Sequence, residues 1–314
     1  LPSGFWRKVG HDLASEIRGE GFSLVHGAWA NHVAEIAQGA AKSLDLPWSF
    51  AAHARDLWVE GGDLGAKIQT ASAAFCCSRR GFEFLRNHAK TEAQISKIHF
   101  APHGLDLENW PFSPPPFPDS HGEIRVLGVG RLVAKKGWKN LIQAAQFSPP
   151  FPQNALVQLV GEGPLRGELE RESARSSGAR FEFFGAKSSD EVRAAMRNAH
   201  VLVLPSIRDQ NGDRDGLANV LLEAAALGVP LVTTDAGSAR DLVDETTGIL
   251  LKNAAPRALA GAIAEVFAAP ETTRTRCEAA RKRVENSYCL EANARAMRAV
   301  FQSVSGKSAS FRVP

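Results

Sequence analysis

Short apolar or β-branched runs alternate along the chain with amphipathic stretches of helical period. Over the first 110 residues, Phe22 to His26 reads as a strand, Trp29 to Leu44 as a helix and Trp48 to Ala52 as a strand. Ala73 to Cys77 and Lys97 to Ala101 read as two further strands, followed by turn or helix-start chemistry at Ser78-Arg79 and at Pro102-His103-Gly104. Such βα alternation predicts an α/β fold with a parallel sheet, four of whose strands are legible here.

Between Trp110 and His121 the run Trp-Pro-Phe-Ser-Pro-Pro-Pro-Phe-Pro-Asp-Ser-His removes ladder donors and favours an extended spacer, so a domain boundary is expected there. The alternation then becomes cleaner. Strands are expected at Ile124 to Val129, Leu156 to Val160, Arg180 to Phe184, His200 to Pro205, Pro230 to Thr234 and Gly248 to Leu251. Helices should start at Gly137, Pro164 and Ser188, span Gly216 to Leu227, and appear briefly near Ser238. This pattern is that of a doubly wound, mostly parallel sheet covered on both faces. Helices from Pro256 and Glu271 follow, then Leu290 to Val304 with an apolar stripe at Ala296, Val300 and Val304. The expected organisation is residues 1–112, residues 122–287, and a helix over 288–304 that docks back on the first domain.

Composition narrows the function classes. A chain of 314 residues exceeds the size at which one core usually stops growing, and 44% hydrophobic with 23% charged residues is an ordinary globular balance. With 37 basic against 34 acidic residues, the charge of +3 gives no ground for expecting nucleic acid as a partner. Cys76, Cys77, Cys277 and Cys289 show no CxxC spacing, and no metal-ligand spacing is seen, so neither a disulfide framework nor a metal is expected, and a cytoplasmic protein fits best. No apolar run approaches the roughly 20 residues of a membrane span. The opening Phe5-Trp6-Arg7-Lys8-Val9 with Leu13 and Ile17 predicts an amphipathic helix. Its cations lie beside aromatics, so it is a candidate for peripheral contact with a membrane face, or simply core. The absence of an initiator Met and of any strand before Phe22 suggests a first domain truncated at its N-terminus.

Two segments carry candidate chemistry. In Gly128-Val-Gly130-Arg131-Leu-Val-Ala-Lys135-Lys136-Gly137, glycines at a strand end precede cations and a helix start. Glycines let the backbone approach an anion, the helix N-terminus adds positive potential, and Arg131 with Lys136 can neutralise a diphosphate. Taken alone, the segment is read equally well as a glycine turn with solvated lysines. In Asp209-Gln-Asn-Gly-Asp213-Arg214-Asp215-Gly216-Leu217-Ala218-Asn219-Val-Leu-Leu-Glu223, the acids Asp215 and Glu223 stand a little over two helical turns apart after a strand end. On a helix beginning near Gly216, Asp215 would be the N-cap and Glu223 would share its face.

Together with Gly161-Glu162-Gly163-Pro164-Leu165, Phe184-Gly185, Leu204-Pro205-Ser206 and Gly248-Ile249-Leu250, these segments resemble the retaining glycosyltransferases of the glycogen-synthase and sucrose-synthase clan. The resemblance implies two Rossmann-like domains facing a cleft, the GT-B fold, with a nucleotide diphosphate sugar as co-substrate and no further cofactor. It implies catalytic roles for His53, Asp215, Arg131 and Lys136, and donor binding by Gly130, Arg131, Lys136, Gly216, Leu217, Ala218, Asn219 and Glu223. Among these, Arg131 and Lys136 would hold the diphosphate and Glu223 the ribose. Asp215 stands where the family usually has Glu near the transferred sugar, and Asp is one methylene shorter. In Ser49-Phe-Ala-Ala-His53-Ala-Arg55-Asp56, His53 matches the family's strand-end histidine over the sugar, and Val25-His26-Gly27 and Pro102-His103-Gly104-Leu105-Asp106 are cleft-lining candidates.

The implied acceptor is a glycan or a lipid-linked carrier, as in polysaccharide biosynthesis. A phosphorylase, a sugar-nucleotide epimerase and a non-catalytic nucleotide-sugar-binding protein remain as alternatives, because architecture alone does not separate them. No Gly-x-Gly-x-x-Gly follows a strand with an acid about 20 residues on, which argues against an oxidoreductase.

Overall fold

A computed structural model describes residues 3–118 and 122–306. The chain forms two compact units, one from the described parts of 1–104, 211–216 and 290–314, the other from those of 105–210 and 217–289.

The first unit runs α1 (Ser3–Glu16), β1 (Val25–Gly27), α2 (His32–Leu44), β2 (Trp48–Ala52), α3 (Leu64–Thr70), β3 (Ala73–Cys76), α4 (Arg79–Arg86), α5 (Glu92–Ile95) and β4 (Ile98–Phe100), and includes the later helix Leu290–Ser305. Among the described residues its sheet has four strands, all parallel and in chain order β1-β2-β3-β4. One row of the register aligns Gly27, Phe50, Ala74 and Ile98. Phe50, Ala74 and Ile98 from that row pack with Ile68 and Leu85 in the core of this unit.

Local chemistry sets the helix starts. Asn31, Asp63, Ser78 and Thr91 each accept an N–H from the first turn of the helix they precede, which satisfies donors that no carbonyl reaches. A single π-helical turn, Asp56–Glu60, follows β2. The later helix lies on the sheet through Phe301, whose ring meets Phe75 and His26, both at 5.1 Å between centroids.

Helix α1 divides its expected apolar stripe. Gly10 and Ala14 are buried and Trp6 packs on His32 of α2, whereas Phe5 is 46% and Leu13 40% exposed. The close approach to α2 depends on the absence of side chains: a Cβ at Gly10 would lie 2.1 Å from the Ile36 carbonyl oxygen, and one at Gly39 2.2 Å from that of Arg7.

The second unit runs β5 (Ile124–Val129), α6 (Trp138–Ala144), β6 (Ala155–Val160), α7 (Arg166–Ser173), β7 (Arg180–Phe183), α8 (Ser189–Asn198), β8 (Val201–Leu204), α9 (Asn219–Leu227), β9 (Leu231–Thr234), β10 (Ile249–Leu251), α10 (Pro256–Ala268) and α11 (Pro270–Ser287). Among the described residues it holds six parallel strands in the order β7-β6-β5-β8-β9-β10. The order is that of a doubly wound sheet, and it reverses between β5 and β8. Ligands of such sheets bind beyond the strand carboxyl ends at that reversal. Continuous apolar strands such as Val201–Leu204, buried throughout, account for coverage on both faces. Ser188 and Glu191 form a reciprocal capping box at the start of α8.

Two expectations are corrected. The proline-rich segment is not a spacer between the units up to Pro118: Trp110 is buried, the Ser113 N–H bonds the Leu227 carbonyl at 2.9 Å, and the Phe112 ring fills the space beside Gly228. Residues 105–118 belong to the second unit, and the first break between units falls after Gly104. The helix expected from Gly216 begins at Asn219, with Ala218 at its N-cap position, so Asp215 is not the N-cap residue. Tertiary contacts explain the delay. Residues 211–216 join the first unit, where Arg214 stacks 3.9 Å from the Trp58 ring centroid, Asp213 stands 3.5 Å from Arg55, and Gly216 faces Ala54.

Candidate active site

In the second unit, the chain leaves β5 at Val129 and turns at Gly130, which has a φ of +154° and donates its N–H to Val160 O at 2.9 Å. Arg131 is exposed, and its carbonyl accepts the indole N–H of buried Trp138 at 3.0 Å, which holds its backbone in place. A 3₁₀ turn, Ala134–Lys136, brings the half-buried Lys136 back over the strand end. A Cβ on Gly130 would meet the Lys136 Cε at 3.2 Å. Gly130, Arg131 and Lys136 therefore share the carboxyl end of β5.

The neighbouring strand end is locked to this loop. Ile207, just beyond β8, donates its N–H to the Lys135 carbonyl at 2.8 Å. Gly137 has a φ of +69° and approaches so closely that a Cβ there would lie 1.9 Å from Pro205 O. Only glycine meets both demands. The cation loop after β5 and the Pro205-Ser206 loop after β8 thus form one rigid rim at the reversal of strand order.

Helix α9 follows β8. Leu217 is buried, Asn219 is the first helical residue, and Ala218 at the N-cap makes no side-chain cap hydrogen bond. Glu223 is half-buried in the second turn, and burial raises its carboxyl above the usual range. Of the expected donor-binding set, the second unit holds Gly130, Arg131, Lys136, Leu217, Ala218, Asn219 and Glu223.

His53, Asp215 and Gly216 belong to the first unit. His53 follows β2, with its ring centroid 6.2 Å from that of Trp29 and 5.8 Å from that of His103. Asp56, 2% exposed, underlies it: Oδ2 accepts the N–H of Ala30 at 2.9 Å and that of His53 at 3.2 Å, and stands 3.6 Å from His53 Nδ1. Buried Lys67 donates to the carbonyls of Ala30 at 2.7 Å and Gly61 at 2.8 Å, and lies 3.5 Å from Glu35; burial lowers its pKa. Neither Asp56 nor Lys67 is announced by the sequence as a site residue, although Asp56 sits in the His53 motif.

His26 on β1 shares a 2.8 Å hydrogen bond with Ser49 Oγ. Burial first, and the nearby charge of His53 second, lower its pKa to about 4, so the ring is neutral. Asp106 accepts the Glu108 N–H at 3.2 Å at the start of a 3₁₀ turn, a turn-forming role within the second unit.

The sequence matches the glycosyl transferases group 1 family over residues 113–283, more than half of the chain. The protein belongs to that family. A GDP-mannose-dependent alpha-(1-6)-phosphatidylinositol monomannoside mannosyltransferase of Mycobacterium tuberculosis is 27% identical over 237 residues, 71% of this chain and 58% of the relative. The amylovoran biosynthesis glycosyltransferase AmsK of Erwinia amylovora is 26% identical over 170 residues, 54% of this chain and 42% of the relative. The chain spans about half the length of the curated relatives it matches. Among solved structures, Anabaena HepE in complex with UDP-glucose superposes with a TM-score of 0.77 at 17% identity, covering 94% of this chain and 82% of HepE. The two parallel sheets with their helices are the GT-B fold of this glycosyltransferase family.

Proposed function

We propose that the chain carries the donor site of a retaining glycosyltransferase that moves a sugar from a nucleoside diphosphate to a glycan or lipid-linked acceptor. The observation that carries this reading is the rim at the β5–β8 reversal, where Lys136 folds over Gly130 beside Arg131 and the loop is tied to the Pro205 strand end. A diphosphate there meets two cations and a flexible-residue backbone. The similarity to a GDP-mannose-dependent enzyme and to a structure named with UDP-glucose supports the same ligand class.

In this reading the bond between the anomeric carbon and the diphosphate oxygen breaks, charge builds on the leaving group, and Arg131 with Lys136 stabilises it. Glu223 accepts hydrogen bonds from the ribose hydroxyls. His53 contacts the transferred sugar, held in place by Asp56. Asp215 serves the same sugar through a shorter side chain than the family's usual Glu. The departing phosphate takes the acceptor proton on the same face of the sugar, which retains the anomeric configuration.

The test combines calorimetric titration of UDP, GDP and their sugars with measurement of nucleoside diphosphate released in the presence of glycan acceptors. Nucleotide-sugar binding followed by acceptor-dependent release, with a product of unchanged anomeric configuration by NMR, is the expected result. Binding without release for any donor would favour a non-catalytic nucleotide-sugar-binding protein, and absence of binding would remove the donor-site assignment.

A further inference from the structure

The carboxyl edge of the first sheet brings together three side chains that no spacing in the sequence connects. His53 follows β2, Cys77 follows β3, and His103 lies three residues beyond β4, and these strands are consecutive neighbours in a parallel sheet. Parallel strands stand about 4.8 Å apart, so residues leaving adjacent ends fall naturally in one cluster. Each of the three offers one ligand atom, and these atoms all lie within 4.8 Å of one another.

Their backbones are fixed. Cys77 is buried between β3 and the Ser78 cap of α4. The carbonyls of Pro102 and His103 both accept from the Asn293 side chain, at 3.2 and 3.1 Å. His53 is held through its N–H by Asp56. Its buried Nδ1 has no hydrogen-bond partner among the described residues, while the Asp56 carboxylate stands 3.6 Å away. Metal-bound histidines characteristically direct the second ring nitrogen to a carboxylate, which fixes the tautomer and the ring plane. With Nδ1–H turned to Asp56, Nε2 is the nitrogen left for a ligand.

We propose that His53, Cys77 and His103 form a site for a thiophilic divalent cation of the zinc class, with Asp56 orienting His53 and one coordination position left for water. Two imidazoles and a thiolate select zinc, cobalt or copper over magnesium, calcium or manganese, which prefer oxygen. Tetrahedral bonds of about 2.0 to 2.3 Å require ligand atoms roughly 3.3 to 3.8 Å apart, so the cluster closes on the ion by about an ångström. Binding converts the Cys77 thiol to a metal thiolate and releases its proton to solvent.

A consequence rests on the proposed function: a His53 nitrogen bound to metal is not available to a sugar, so the loaded chain transfers more slowly.

The direct test is titration of the reduced, full chain with Co²⁺, followed by absorbance and equilibrium dialysis. The expected result is one equivalent bound, with a thiolate-to-cobalt charge-transfer band and the visible bands of a tetrahedral ion. Zn²⁺ should displace it and Mg²⁺ should not. Cys77→Ala should abolish the charge-transfer band, and His103→Gln should weaken binding at least about tenfold, both with unchanged circular dichroism. A band that survives in Cys77→Ala, or one lost only in Cys289→Ala, would overturn the site, as would the absence of stoichiometric binding. Sugar transfer separates the two claims. Zinc inhibition relieved by EDTA and missing in Cys77→Ala supports the coupling, whereas a cobalt band without inhibition keeps the site and overturns the coupling alone.

Discussion

Asp56 holds His53 by its backbone: one carboxylate oxygen takes the His53 N–H at 3.2 Å and, at 2.9 Å, the N–H of Ala30 in the loop after β1. A single buried acid therefore sets the spacing of two strand-end loops. Asp56→Ala leaves one buried and one half-buried donor without an acceptor and should cost about 2 to 4 kcal/mol of stability, measured by urea unfolding. Asp56→Asn keeps an acceptor, so it should lose less stability while lowering turnover as His53 loses its orientation. Equal effects of the two variants on stability would remove this role.

Arg131→Ala and Lys136→Ala each leave negative charge of a bound diphosphate uncompensated. Each should weaken nucleotide binding by about 1.5 to 3 kcal/mol, roughly tenfold to a hundredfold, by calorimetry. Lys136→Arg should recover only part of this, because a planar guanidinium does not fit the path of a stem folded over Gly130. Wild-type affinity in both alanine variants would dismiss the loop as a phosphate site.

Burial raises the carboxyl of Glu223, so the folded chain holds that proton more tightly than the unfolded chain does. As pH falls from neutral through the raised value, Glu223 protonates and its unfavourable buried charge disappears; its contribution to stability therefore improves on acidification and is lost as pH rises. Ribose binding runs the other way, since a protonated carboxyl is the poorer acceptor. Glu223→Gln should thus melt at a slightly higher temperature than wild type near neutral pH, yet bind nucleotide about tenfold more weakly. A variant weakened in both respects would point to a packing role alone.

His26 gives the first unit an opposite dependence. Its pKa falls from 6.5 to about 4 on folding, so the unfolded chain takes up a proton over that window while the folded chain does not. Stability present above pH 6.5 should drain away as pH falls toward 4. His26→Gln, which keeps a partner for Ser49, should flatten that part of the melting profile. An unchanged slope would assign the acid sensitivity elsewhere.

Most elements were legible because the two periods of the sequence are clean. Runs such as Val201 to Leu204 are short, rich in Val and bounded by Pro205, which suits a strand buried on both faces, and Ser188 with Glu191 announces the start of α8. The glycine turn of the cation loop was also legible, and Gly130 and Gly137 do occupy positions of positive φ and close approach. What sequence reading missed is non-local. Asp215 has the chemistry of a cap and the spacing of one, but Arg214 and Asp213 find Trp58 and Arg55 some 150 residues earlier, and that attraction outweighs local helix propensity. His53, Cys77 and His103 look unrelated until strand order makes their positions adjacent. The clamp of Asp56 and Lys67 on Ala30 is invisible for the same reason.

The membership of residues 211–216 in the first unit bears on how relatives of this protein can be recombined. A chimera joined once, after Gly104, would take Arg55 and Trp58 from one parent and Asp213 and Arg214 from the other. Exchange of a whole specificity module therefore calls for a patchwork, in which this six-residue insert and the segment from Leu290 travel with the N-terminal parent. Natural shuffling by a single crossover would meet the same obstacle, and the inheritance of the two halves is tied together by a loop that belongs, in space, to the half in which it is not encoded.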